Sequence, residues 1–180
     1  MTAENDNKTE RVHPSWLAED LNEFAADLLR EDELGSVIRA HIRIEYLLRQ
    51  AVSNWVPHPE HIKKLAPDYD ALITIALMHG MDERYGPPFR ALGKLRNDFA
   101  HKPGTKLTKQ SVNNLYKCLN SEDKKAVQRV LKSLQDRYDI AVTAERLADA
   151  MPVEQFQLIA ITFWAIAQTM AITVRADAAD

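Results

Sequence analysis

Apolar residues recur at helical spacing in one stretch after another of this chain, and proline or glycine closes most of the stretches. Behind Pro14-Ser15-Trp16 come Leu17, Leu21, Phe24, Leu28 and Leu29, one face of a first helix. Gly35-Ser36 is expected to punctuate it, with a second helix from about Val37 to Asn54. Ile38, Ile42, Leu48 and Val52 form its apolar stripe, widened by Ile44, Leu47, Ala51 and Trp55. Pro57 and Pro59 stop it. His61 to Leu65 suits a short helix. A third long helix starts at Pro67-Asp68 with Leu72, Ile75, Ala76 and His79 in register, and Gly80 is its expected C-cap. Pro87-Pro88 suits the first positions of a fourth, striped by Phe89, Leu92, Leu95 and Phe99. Thr108 resembles an N-cap for Lys109 to Leu119, and Ser121-Glu122-Asp123 opens a helix through about Tyr138. The last runs from near Pro152 to about Arg175. Only five glycines occur and strand-type alternation is nearly missing. The expectation is all-α: a single-domain helical bundle of about seven helices over residues 13–178.

A chain of 180 residues suits one domain with one core. Hydrophobic residues at 46% and charged residues at 27% are ordinary for a globular protein, and a net charge of -3 argues against a general polyanion binder. Cys118 is the single cysteine, so no intrachain disulfide forms. With no signal peptide visible, a cytoplasmic location is expected. The polar segment 1–12 is expected to be a disordered tail. Phe156 to Val174 nearly reaches membrane-spanning length, but Gln157, Thr162, Gln168, Thr169 and Thr173 interrupt it. A central buried helix is the expectation, with no membrane partner.

The run Leu95-Arg96-Asn97-Asp98-Phe99-Ala100-His101 ends the fourth helix, because Lys102-Pro103-Gly104 cannot continue it. Asn97 and His101 are four apart and share a face, with Arg96 beside them. Arginine offers a planar cationic fork and histidine moves protons near neutral pH, a grouping able to bind or cleave a phosphodiester. The same residues can simply close a helix end, where an imidazole is favoured by the helix dipole. Both readings stand at this level.

Glu45 falls among Ile38, Ile42, Leu48 and Val52, where a carboxylate needs a partner. Arg96 or His101 is one candidate, and Arg49 at i+4 the other. His41 and His79, on or beside apolar stripes, are read as core histidines rather than ligands. His58 and His61 flank Glu60 without a cysteine or a His-Glu-x-x-His pattern, so no metal is expected. No glycine-rich phosphate loop or nucleophile elbow occurs, and no cofactor is expected. Residues 102–132 hold Lys102, Lys106, Lys109, Lys117, Lys124, Lys125, Arg129 and Lys132 against only Glu122 and Asp123. Lys102, Lys106 and Lys109 lie next to the Arg-Asn-His run and suit a nucleic-acid backbone or an acidic partner. A solvated lysine-rich face is the plainer alternative.

Two stretches carry a resemblance to a known family. One runs from Leu34-Gly35-Ser36-Val37 to Ile44-Glu45-Tyr46-Leu47-Leu48. The other runs from Ala71-Leu72-Ile73 through Leu77-Met78-His79-Gly80-Met81 to the Arg96–His101 motif. In this order they resemble the mannitol operon repressor family, whose helical fold is similar to HEPN domains. The resemblance covers roughly residues 34–103. It implies two functions. Repressor-type members are regulators acting through protein contacts, and this chain has no trustworthy helix-turn-helix for sequence-specific DNA reading. Active HEPN domains are metal-independent endoribonucleases, often toxins or defence effectors, with a cleft between two subunits. On that pattern Arg96 stabilises charge on the phosphorus oxygens, His101 transfers a proton, and Asn97 orients the imidazole or the phosphate. Glu45 would support them. Many active members carry a hydroxyl-bearing residue just after the histidine, often a tyrosine two positions on, where this chain has Lys102 and Pro103. The resemblance therefore favours a non-catalytic regulator with a regulatory protein partner. Both branches imply a homodimer whose interface approaches the end of the fourth helix, and RNA is a partner only on the nuclease branch.

Overall fold

The last helix is the centre of the molecule. A computed structural model describes residues 14–137 and 146–173, with side chains over 21–136 and 146–173. The expected tail at 1–12, and the helix ends expected at Tyr138 and Arg175, lie outside the described residues. Eight α-helices occur among the described residues, and no strand: α1 (Pro14–Leu29), α2 (Glu33–Trp55), α3 (Pro59–Leu65), α4 (Tyr69–Met78), α5 (Gly86–His101), α6 (Lys109–Lys117), α7 (Ser121–Arg137) and α8 (Pro152–Ile172). The all-α bundle is as the periodicity requires, and α3 is the short helix of the 61–65 region. Every residue of α8 from Gln155 to Trp164 is buried. α8 packs against α1, α2, α6 and α7, and most extensively against α2. It is apolar enough to cross a membrane by length and composition, yet 78% of its most apolar window is buried inside the fold.

Hydrogen bonds fix how α8 lies on α2. Near the start of α8 the Gln157 amide donates to Ser36 Oγ at 2.9 Å and to the Leu28 carbonyl at 2.9 Å, closing the end of α1. Near its finish Asn54 donates to the Ala171 carbonyl at 2.7 Å and Trp55 Nε1 to the Thr173 carbonyl at 2.8 Å. Starts bond to starts and ends to ends, so the two helices run parallel. These contacts satisfy carbonyls that a helix end leaves without an internal partner.

Two expectations about α2 are corrected. Gly35-Ser36 does not separate the first two helices. Asp32 is the N-cap, its carboxylate accepts from Gly35 N–H at 2.7 Å, and Glu33 favours the first turn. The stripe is also displaced. The buried face is Val37, Ala40, His41, Ile44, Leu47, Leu48, Ala51, Val52 and Trp55, while Ile42 is 59% exposed. Steps of four drift about 40° round a helix, which carries Ile38 and Ile42 off the core face.

Other helix ends follow the local chemistry. Asp68 caps α4 through Ala71 N–H, and Thr108 forms a reciprocal capping box with Ser111 on α6. Gly80 takes φ 85 after α4, and Met81 N–H returns to the Ala76 carbonyl at 2.8 Å. Pro87 and Pro88 sit at the start of α5.

Candidate functional site

α2, α4 and α5 enclose a cleft of about 510 Å³. α2 contributes His41 and Glu45, one helical turn apart. The start of α4 contributes Asp68, Tyr69 and Asp70. α5 contributes Arg90, Gly93, Lys94, Arg96, Asn97 and Asp98. Three short-range facts let these helices meet here: the Asp68 cap aims α4, Gly93 gives α5 a bare patch, and Tyr69 fills it. A Cβ built on Gly93 would stand 2.8 Å from Tyr69 Cδ1.

Glu45 is the electrostatic hinge of the cleft. Its Oε1 accepts from Arg49 Nη2 at 2.6 Å and from Nε at 3.2 Å. Arg49 also donates to the Pro67 carbonyl at 2.8 Å, tying α2 to the turn before α4. The partner of Glu45 is therefore Arg49, and the pairing expected with Arg96 or His101 is not made. Arg49 lies one turn along the same helix, so the bond forms without help from α5. The other oxygen, Oε2, lies 3.6 Å from His41 Nδ1, too long for a hydrogen bond.

His41 is 4% exposed and stacks obliquely on Tyr69, ring centroids 4.3 Å apart. Burial holds its pKa below the usual imidazole range. Glu45 opposes that shift, and Arg96 adds to it. The imidazole is neutral at pH 7, so its contact with Glu45 is not an ion pair. Burial, reinforced by Glu45, pushes the Tyr69 phenol above its ordinary range. Its hydroxyl is buried and has no hydrogen-bond partner among the described residues. Sequence reading set His41 aside as a core histidine and did not single out Tyr69. The i,i+4 pair His41–Glu45 was the available signal.

The Arg-Asn-His motif is divided by the structure. Arg96 and Asn97 line the cleft, and Arg96 Nη1 donates to Asn97 Oδ1 at 3.0 Å. His101 is exposed in the last turn of α5, outside the cleft lining. It stands about 140° round the helix from Arg96. One chain thus presents a cationic fork and an amide inside the cleft and the motif's imidazole beyond its edge. Asp98 binds Lys102 Nζ at 2.6 Å, and that bond holds the Asp98 carboxyl below the usual range. Lys106 and Lys109 are exposed and make no ion pair among the described residues. His58, Glu60 and His61 are all exposed, and no group of three potential ligands suited to a metal occurs among the described residues. No family model, no curated protein and no solved structure matches this chain.

Proposed function

We propose that this protein is a non-catalytic helical regulator acting through protein contacts, of the mannitol operon repressor type, and that it pairs with a second copy through α2. The observation that carries the reading is the apolar ridge Leu34, Ile38, Ile42 and Tyr46 on that helix. Leu34, Ile42 and Tyr46 are 52%, 59% and 58% exposed. Beside the ridge runs a groove of about 390 Å³ lined by Glu31, Gly35, Ile38, Arg39, Ile42 and Arg43. Ile38 and Ile42 wall the groove on the ridge side and Gly35, Arg39 and Arg43 form the next row of α2, so a two-fold axis seats each ridge in the other copy's groove. That is ridges-into-grooves packing, with helices crossing at about -50°. An exposed apolar row of this kind is the usual mark of an interface. Lys106 and Lys109 at the turn into α6 offer cations to an acidic regulatory partner. A cytoplasmic location belongs to the same reading.

Light scattering at micromolar concentration tests it. Wild type is expected at twice the chain mass, and Ile42→Glu at the mass of one chain. A monomeric wild type overturns the pairing.

A metal-independent ribonuclease is the second reading, favoured by Arg96 and Asn97 standing together in the cleft. Single-stranded RNA incubated with the protein in EDTA separates the two. The regulator reading expects no cleavage. Cleavage that His101→Ala lowers by about 10²–10⁴-fold would replace it with the nuclease.

A further inference from the structure

A second cavity lies on the other flank of α2, between α1 and α8. It is about 350 Å³, at the small end of the range for ligand pockets, about 300–1,000 Å³. Its inner wall is apolar: Phe24 and Trp164, stacked with centroids 5.3 Å apart, together with Leu47 and Ile172. One polar side chain interrupts that wall. Gln168 is 6% exposed and lines the cavity. Two opposite charges stand at the mouth, Glu23 on α1 and Arg43 on α2. Both are exposed, and neither is in an ion pair with the other or with any described residue. Gln50 and Tyr46, also in the lining, are joined by a hydrogen bond from the Gln50 amide to the Tyr46 hydroxyl at 2.9 Å.

We propose that this cavity binds a free α-amino acid with an apolar side chain. The ligand carboxylate accepts from the Arg43 guanidinium, a favoured fork geometry. The ligand ammonium donates to the Glu23 carboxylate. The side chain enters against Trp164, Leu47 and Ile172, beside the Gln168 amide. A chain terminus of a peptide carries only one of the two charges, and a nucleotide has no counterpart for Glu23. The cavity volume also suits a small molecule better than a cofactor.

Calorimetric titration with L-leucine and L-phenylalanine tests the site. Binding is expected, and Arg43→Gln, Glu23→Gln and Gln168→Leu are each expected to weaken it about tenfold or more. The first two positions are exposed, so those variants keep the fold. Isopentylamine and 4-methylpentanoate, each lacking one charge of leucine, are expected to bind more weakly by a similar factor. Absence of binding by both amino acids up to about 10 mM, in wild type and in Ile42→Glu alike, overturns the proposal. So does binding that ignores both Arg43→Gln and Glu23→Gln, or 4-methylpentanoate binding as well as leucine. The titrations are repeated in Ile42→Glu, so that a second copy seated on α2 is not mistaken for an absent site. Arg43 and Tyr46 belong both to this cavity and to the face of α2 offered to a second copy, so Ile42→Glu reads the site uncovered, and a monomeric wild type leaves it intact.

Discussion

The ring of Tyr69 occupies the space where Gly93 lacks a side chain, with Cδ1 and Cε1 only 2.8 and 2.9 Å from where a Cβ would stand. This contact sets how closely α4 approaches α5. It also pins the phenol between the bare helix surface and the imidazole of His41. Gly93→Ala is expected to push the ring toward His41 and to destabilise the fold by about 1–3 kcal/mol, the cost of overpacking a filled site. Thermal unfolding measures it. Unchanged or raised stability would mean that the ring moves aside freely and that Gly93 does not set the helix spacing.

Tyr69→Phe is expected to behave in the opposite way to most core truncations. The hydroxyl is buried without a partner, and such a group costs about 1–3 kcal/mol. Its removal leaves the ring packing in place. The variant should therefore be as stable as wild type or more stable, by chemical denaturation. A loss above about 1 kcal/mol would show that the hydroxyl is bonded in solution.

Glu45→Gln is expected to cost about 1 kcal/mol or less. The Glu45–Arg49 pair is one turn apart on one helix, with side chains 26% and 40% exposed, so solvent screens it. Arg49 also keeps its bond to the Pro67 carbonyl. A cost of several kcal/mol in thermal unfolding would instead mark Glu45 as a desolvated charge holding the cleft together.

Stability is expected to fall with acidity through His41. Its pKa is lowered in the fold relative to the ordinary 6.5, so the unfolded chain takes up the proton more readily. The contribution of the neutral, buried imidazole is complete above 6.5. It is lost as the pH falls through the lowered folded value. Denaturation midpoints followed through this window should drop in wild type and drop less in His41→Gln. Parallel curves for the two proteins would remove His41 as the cause.

The helices and their caps were legible in the sequence because the forces that make them are local. Asp68, Thr108, Gly80 and Pro87-Pro88 act within a turn of their own positions, and each does so where the sequence suggests. Glu45 finding Arg49 is equally local. The buried fate of α8 was legible too, since only a helix surrounded by others can be apolar on every side.

Tertiary structure decided which face of each helix meets which. A spacing of four fits both a core stripe and a ridge that winds off the core, so Ile42 looked buried until the neighbours of α2 were known. The Arg96–His101 run looked like one constellation, but His101 stands about 140° round the helix from Arg96 and a full turn beyond Asn97 along it. Packing of α2 and α4 against one side of α5 keeps Arg96 and Asn97 in the cleft and leaves His101 outside it. The cleft partners Tyr69 and His41 are far apart in sequence and meet only where α4 packs on α2, with the Tyr69 ring against Gly93 of α5. Periodicity and capping are properties of neighbouring residues and can be read along the chain. Contact between faces depends on the angles at which whole helices pack, and those follow from the summed shape of all the side chains between them.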